Sequence, residues 1–240
     1  MKFCAFNGSP RGEAGNTNIL VEEVLKGIQK EGGSTENIIL KDYEIKSCKG
    51  CFSCWTKTPG ECIIDDDMKD LLPKFKESEA VILASPLYVD NITAILKLFM
   101  ERLIPLAEPF FEKDEKGESV HPKRYDKTPG LVVISNSGFP EESHFQVLEL
   151  LFKRVARNFG TKVVGEIYRG AGELLQVKNP MLEKQLESYK ELLQKAGSEL
   201  VKNGEVLDET EEELKKPLVP HEEYIKMANK YWNKKVNGTD

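Results

Sequence analysis

The sequence predicts an α/β fold: a five-stranded parallel sheet with helices on both faces. Three observations carry that expectation. Short, near-continuous apolar runs recur along the first 170 residues, and amphipathic segments separate them. Strands that are apolar on both sides belong to sheets covered twice. Polar loops follow three of the runs, where an open α/β sheet keeps its ligand crevice.

Each element has its own signal. Lys2 to Phe6 is the first strand, stopped by Asn7-Gly8-Ser9-Pro10. From Asn18 to Lys30, Ile19, Leu20, Val24, Leu25 and Ile28 recur at helical spacing. Thr35 to Leu40 is a second strand, and Ala80 to Ala84 a third, halted by Ser85-Pro86. Ile92 to Leu106 suits a helix that buries Leu96, Phe99, Met100 and Leu103. Gly130 to Ser135 is a fourth strand. Phe145 to Phe159 is an amphipathic helix, and Lys162 to Ile167 is a fifth strand. Glu108 to Lys127 is charged and poor in apolar residues, an excursion at the rim. Beyond Pro180, Leu182, Leu186, Tyr189, Leu193, Ala196 and Leu200 form a helical stripe that Gly204 ends. Asp208 to Lys216 runs from acidic to basic before Pro217 and Pro220. His221 to Lys235 makes a last helix with Tyr224, Met227, Ala228 and Tyr231 facing inward. The expected organisation is one domain over residues 1–200 and a helical extension over 201–240. Asn237-Gly238-Thr239 matches a glycosylation sequon by chance.

Composition excludes several function classes. Thirty-four basic against 40 acidic residues give a net charge of −6, unsuited to binding nucleic acid by bulk charge. Hydrophobic residues at 40% and charged residues at 31% fit a soluble globular protein. No apolar run approaches the roughly 18 residues of a membrane span. The opening Met1 to Pro10 carries no apolar segment of signal-peptide length, so a cytoplasmic protein is expected. Five cysteines are too few for a disulfide scaffold. His121, His144 and His221 are scattered and suggest no hydrolytic triad.

The loop from Asn7 to Asn18 is rich in Gly, Ser, Thr and Asn. It lacks the Gly-Lys-Ser/Thr ending of a nucleotide P-loop and the G-x-G-x-x-G fingerprint. Its N–H groups and hydroxyls can hold a phosphate at the start of the first helix. A surface turn with Thr17 or Asn16 as N-cap is the alternative. The third strand leads into Ser85 to Asn91 and the fourth into Ser135 to Phe139, so three polar loops would converge on one sheet edge.

Four of the cysteines cluster. Cys48, Cys51 and Cys54 are spaced C-x2-C-x2-C, and Cys62 follows after seven residues. Structural zinc sites more often use two cysteine pairs set far apart. Ferredoxin runs share the close spacing but bring the fourth cysteine sooner, before a proline. From spacing, an iron–sulfur cluster, zinc, free thiols and a disulfide all stay open. Cys4, inside the first strand, reads as a core thiol. Asp65-Asp66-Asp67 reads as the N-cap of a helix from Met68, kinked or shortened by Pro73.

Gly8-Ser9-Pro10-Arg11, Asn16-Thr17, Ser85-Pro86-Leu87-Tyr88 and Leu96-Lys97-Leu98-Phe99 together resemble the NADPH-dependent FMN reductase family over roughly residues 1–170. The resemblance implies a flavodoxin-like three-layer fold with strand order 2-1-3-4-5. It implies that Ser9, Arg11, Asn16, Thr17 and Asn18 hold the FMN phosphate. Pro86, Leu87, Tyr88 and Asn91 would line the ribityl chain and one side of the flavin ring. Asn136, Ser137 and Gly138 would approach the ring's polar edge. NAD(P)H or a protein donor such as ferredoxin would supply electrons, and a quinone, a flavin or another small acceptor would take them. A homo-oligomer is implied too. The cysteine spacing resembles the iron–sulfur flavoprotein branch of that family. There Cys48, Cys51, Cys54 and Cys62 would ligate a four-iron four-sulfur cluster beside FMN. The competing reading is an electron carrier or thiol redox sensor with no substrate of its own.

Overall fold

The structure is a computed structural model that describes residues 1–238. Thr239 of the sequon lies outside the described residues. The strands are β1 (Lys2–Asn7), β2 (Ser34–Ile39), β3 (Ala80–Pro86), β4 (Glu112–Lys113), β5 (Ser119–Val120), β6 (Gly130–Asn136) and β7 (Val163–Arg169). The helices are α1 (Asn16–Lys30), α2 (Ser53–Thr56), α3 (Met68–Glu77), α4 (Ala94–Glu101), α5 (Gln146–Asn158), α6 (Pro180–Lys202), α7 (Asp208–Lys215) and α8 (His221–Asn237).

Five strands form one parallel sheet in the order β2-β1-β3-β6-β7. With the small β4–β5 hairpin set aside, this is the expected order 2-1-3-4-5. The period of two along each strand divides the core. Phe3, Ala5, Ile82, Ala84, Val132 and Ile134 face one layer, which α1 and α6 cover. Cys4, Phe6, Val81, Leu83, Leu131 and Val133 face the other, under α3, α4 and α5. Cys4 is fully buried there, as a core thiol should be. Next to β1 the chain steps outward to β2 through α1, then back across to β3. That reversal of strand order between β1 and β3 opens a crevice at their carboxyl ends.

Two helices on the first layer approach at backbone contact. A Cβ on Gly27 would come within 1.9 Å of the Gln194 carbonyl, and one on Gly197 within 2.0 Å of Val24 O. Only glycine permits that packing of α1 on α6. The same layer takes in Val206, Leu214 and Tyr224 from the C-terminal stretch.

The structure departs from the sequence reading at four places. The helix expected over 92–106 ends at Glu101, and Ile104–Leu106 is a separate tight turn whose Pro105 has no N–H to continue the ladder. The rim excursion holds the β4–β5 hairpin, turned on Gly117 and on Asp114 Oδ1, which accepts the N–H groups of Lys116 and Glu118 at 2.9 Å each. Strands of two residues leave no alternation to read. Helix α1 is capped by neither Asn16 nor Thr17, because Gly15 occupies the N-cap position and gives no side chain. In α8 only Tyr224 is buried; Met227 and Tyr231 are exposed, at 37% and 55%. No described helix is long and apolar enough to cross a membrane.

Candidate functional site

The crevice is lined by the three polar loops, and the structure ties them to one another. Asn7 ends β1, fully buried; its Oδ1 accepts the Ser9 N–H at 3.0 Å and its Nδ2 donates to Asn18 Oδ1 at 3.2 Å. The Gly8 N–H donates to the Ala84 carbonyl at 2.8 Å, so β1 and β3 stay paired to their ends. Gly8 must lack a side chain, since a Cβ would meet Leu96 Cβ at 2.6 Å. Thr93 joins the second loop to the first. Its hydroxyl donates to the Gly8 carbonyl at 2.7 Å and accepts the Leu96 N–H, which caps α4.

The start of α1 is the electropositive point of the crevice. Ser9, Asn16 and Thr17 are buried there, yet no side chain caps the helix. Asn16 Oδ1 is buried with no hydrogen-bond partner. An unpaired buried polar atom costs about 1–3 kcal/mol, which a ligand or water donating at this point would offset. Uncapped N–H groups and the helix dipole favour an anion at the same point. Arg11 reaches across from the loop; its guanidinium lies 3.7 Å from Glu173 and 3.4 Å from Gln176. Asn18 differs from its neighbours. Its amide is consumed inside the loop, donating to the Glu13 carbonyl and accepting from Asn7 and Asn37. These bonds shape the loop.

The second and third loops meet at Asn136. Its Nδ2 donates to Thr17 Oγ1 at 2.7 Å, and its carbonyl accepts the Leu87 N–H at 2.8 Å. One residue therefore locks all three loops. Beyond Leu87, Tyr88 and Asn91 exchange backbone hydrogen bonds of 2.8 and 3.1 Å across Val89 and Asp90. Both central residues have positive φ, 49° and 55°. A β-branched Val is a poor occupant of that conformation, and such local strain tends to gather at ligand sites. Tyr88 is 48% exposed and Asn91 is exposed, while Ser137 is buried and Gly138 is open. Phe139 stacks on His144 with centroids 4.5 Å apart.

The cysteine loop lies between β2 and α3, at the same end of the sheet. All its thiols are free. Cys51 is exposed, Cys48 and Cys62 are half-buried and Cys54 is buried. Burial, then the negative charge of Cys62, Cys48 and Cys51, pushes the Cys54 thiol up, so the four share one electrostatic neighbourhood. Hydrogen bonds from Ser53 pull the Cys51 thiol down. Among the described residues no three Cys, His or carboxylate groups stand close enough to hold a single metal ion. Four thiols in no disulfide on one loop are of the donor type that iron–sulfur clusters use.

A buried ion pair pins this loop. Arg102 and Asp66 are both fully buried side chains, bonded twice at 2.5 and 3.1 Å. Arg102 also donates to the Lys46 carbonyl at 2.6 Å. Burial raises the Asp66 carboxyl, but the bonds from Arg102 and from the Lys46 and Met68 N–H groups outweigh it and hold it below its ordinary range. Asp66 also accepts the Met68 N–H at the head of α3, although the N-cap position itself is Asp67, which makes no side-chain cap bond. Trp55 packs between Phe52 and His121, each at 5.0 Å, and donates to the Ile104 carbonyl at 3.3 Å. Sequence reasoning missed Asn7, Thr93 and Arg102. Thr93, three residues before Leu96 at the head of an apolar run, carried a readable N-cap signal; Arg102 carried none.

Comparison with known proteins gives the family and the fold. A family model described as NADPH-dependent FMN reductase matches residues 1–172. An iron-sulfur flavoprotein of Methanocaldococcus jannaschii is 43% identical over 120 residues, which cover 50% of this chain and 61% of the relative. An iron-sulfur flavoprotein of Archaeoglobus fulgidus is 36% identical over 142 residues, 59% of this chain and 58% of the relative. The matches thus span about three fifths of these relatives' length. Among solved structures, an FMN-dependent NADH-azoreductase from Bacillus anthracis in complex with FMN aligns with a TM-score of 0.59 at 19% identity. That alignment covers 83% of this chain and 98% of the azoreductase. An NAD(P)H:quinone oxidoreductase from Methanothermobacter marburgensis gives 0.58 at 13%, covering 83% and 96%. At such identities the likeness establishes the flavodoxin-like fold.

Proposed function

The chain belongs to the NADPH-dependent FMN reductase family, and from that premise we propose that it is an FMN-dependent oxidoreductase. In this reading FMN occupies the crevice at the β1/β3 switch point. The observation that carries it is the buried, uncapped start of α1 with the orphaned Asn16 Oδ1, locked to the other two loops through Asn136. FMN, when bound, supplies the chemistry: it takes electrons from NAD(P)H or a protein donor such as ferredoxin and releases them to a quinone, a flavin or another small acceptor.

The chain's own residues bind and orient. Ser9, Asn16, Thr17 and the first N–H groups of α1 hold the phosphate, and Arg11 neutralises part of its charge. Pro86, Leu87, Tyr88 and Asn91 line the ribityl chain and one side of the ring. Ser137 and Gly138 meet its polar edge. Asn18 and Asn136 keep the loops in register. Cys48, Cys51, Cys54 and Cys62 hold a four-iron four-sulfur cluster, supported by the names of the relatives and by four free thiols on one loop. The protein acts as a homo-oligomer, with residues 201–240 as an extension of the FMN-binding domain.

Steady-state oxidation of NADH and NADPH with a quinone acceptor tests the reading. Turnover that depends on added FMN is the expected result. Bound flavin without turnover from either nicotinamide would instead support an electron carrier or redox sensor.

A further inference from the structure

The C-terminal helix touches the crevice through one hydroxyl. Tyr224 lies on the first turn of α8 and is 7% exposed; its hydroxyl donates to the Gly138 carbonyl at 2.8 Å. The same peptide turns the Phe139 N–H onto Ser137 Oγ at 3.0 Å. Its two polar groups are therefore both held by protein. In front, Gly138 is open: a Cβ there would meet no heavy atom within 4 Å. The loop is braced at this peptide and open beside Gly138.

The stretch that carries Tyr224 is itself fixed to the strand behind the loop. Arg169 ends β7, is 2% exposed, and donates to the carbonyls of Leu214 and, at 3.0 Å, Lys216. Its guanidinium stacks over the Tyr189 ring of α6 at 4.2 Å. The Arg169 carbonyl accepts the Ser137 N–H at 3.0 Å. One strand end thus anchors both the loop over residues 137–139 and the turn that leads into α8.

We propose that Tyr224 is a positioning residue for FMN, fixing the peptide after Gly138 so that the loop's free groups face the ring's polar edge. This rests on the flavin reading above. Tyr224 lies beyond residues 1–172, the region that matches the family, so the brace belongs to the C-terminal stretch. A fixed peptide dipole beside the ring acts on the charge of the reduced flavin, so losing it changes potential as well as affinity.

The test compares Tyr224→Phe with Tyr231→Phe, a ring on the same helix that is 55% exposed. FMN affinity is read by titrating apoprotein against flavin fluorescence, and the midpoint potential of bound FMN by anaerobic spectroelectrochemistry. Tyr224→Phe is expected to weaken FMN about fivefold, the worth of one hydrogen bond, and to shift the potential. Tyr231→Phe is expected to leave both unchanged. Unaltered affinity and potential in Tyr224→Phe would overturn the brace, as would equal changes in both variants. Wild-type apoprotein that binds no FMN would overturn the flavin reading, and the brace with it.

Discussion

The crevice loops and the cysteine loop sit at the same end of the sheet, yet they are held in opposite ways. The crevice loops are cross-bonded by short polar links through Asn7 and Asn136 at strand ends and Thr93 at the head of α4. The cysteine loop is pinned by a buried ion pair, Arg102 with Asp66, and carries four thiols in no disulfide. The contrast teaches where each cofactor's contribution would fall. The first site is pre-organised, so FMN would add affinity to a finished frame. The second offers four free thiols on one loop, so a group bound there would add to its stability.

The contrast breaks most visibly if the ion pair is cut. Asp66→Ala leaves Arg102 buried and uncompensated, and urea unfolding should show a loss of about 3–5 kcal/mol. Loss of less than about 1 kcal/mol would mean that the loop is held by something else. A smaller effect is expected in the crevice. Thr17→Val removes the acceptor of the buried Asn136 amide and should weaken FMN binding by about tenfold, for an unmet donor costing about 1–3 kcal/mol. Equilibrium titration of the apoprotein reads it.

Acid sharpens the comparison further. The Asp66 carboxyl is held below its unfolded range by Arg102 and by backbone N–H groups. Its contribution is therefore present above the unfolded pKa of about 3.9 and is lost as pH falls through the lower folded value. Wild-type stability should drop steeply below about pH 4, whereas that of Asp66→Asn, already lowered, should change less over the same range. Parallel curves in urea would refute this. The gentlest probe is access. In apoprotein exposed to a limiting alkylating reagent, mass spectrometry should find Cys51 modified before the buried Cys54. Equal labelling of the two would show that the loop opens as a whole.

The sheet was legible because buried strands write themselves as apolar runs: Ala80 to Ala84 and Leu131 to Ile134 could be little else. The crevice was legible at Gly8 and Ser9, which are local signals of a loop after a strand. It was not legible at Asn136–Thr17, a bond between residues 119 apart that no spacing rule links. Arg102 reads in sequence as one more charge at the end of a helix; only the fold shows it fully enclosed on Asp66. The expected inward face of α8 failed at Met227 and Tyr231, which are exposed, and held at Tyr224 and Ala228, which pack on the core. The alternative reading of Asn16 or Thr17 as an N-cap falls because both residues start the helix, and glycine precedes them.

One measurement bears most directly on the central claim that this crevice binds FMN. Apoprotein is titrated with FMN under anaerobic conditions and the quenching of flavin fluorescence is followed to saturation, alongside Thr17→Val. The account predicts saturable binding at about one FMN per chain, weakened in the variant by about tenfold. Fluorescence that stays that of free flavin at every protein concentration would contradict it.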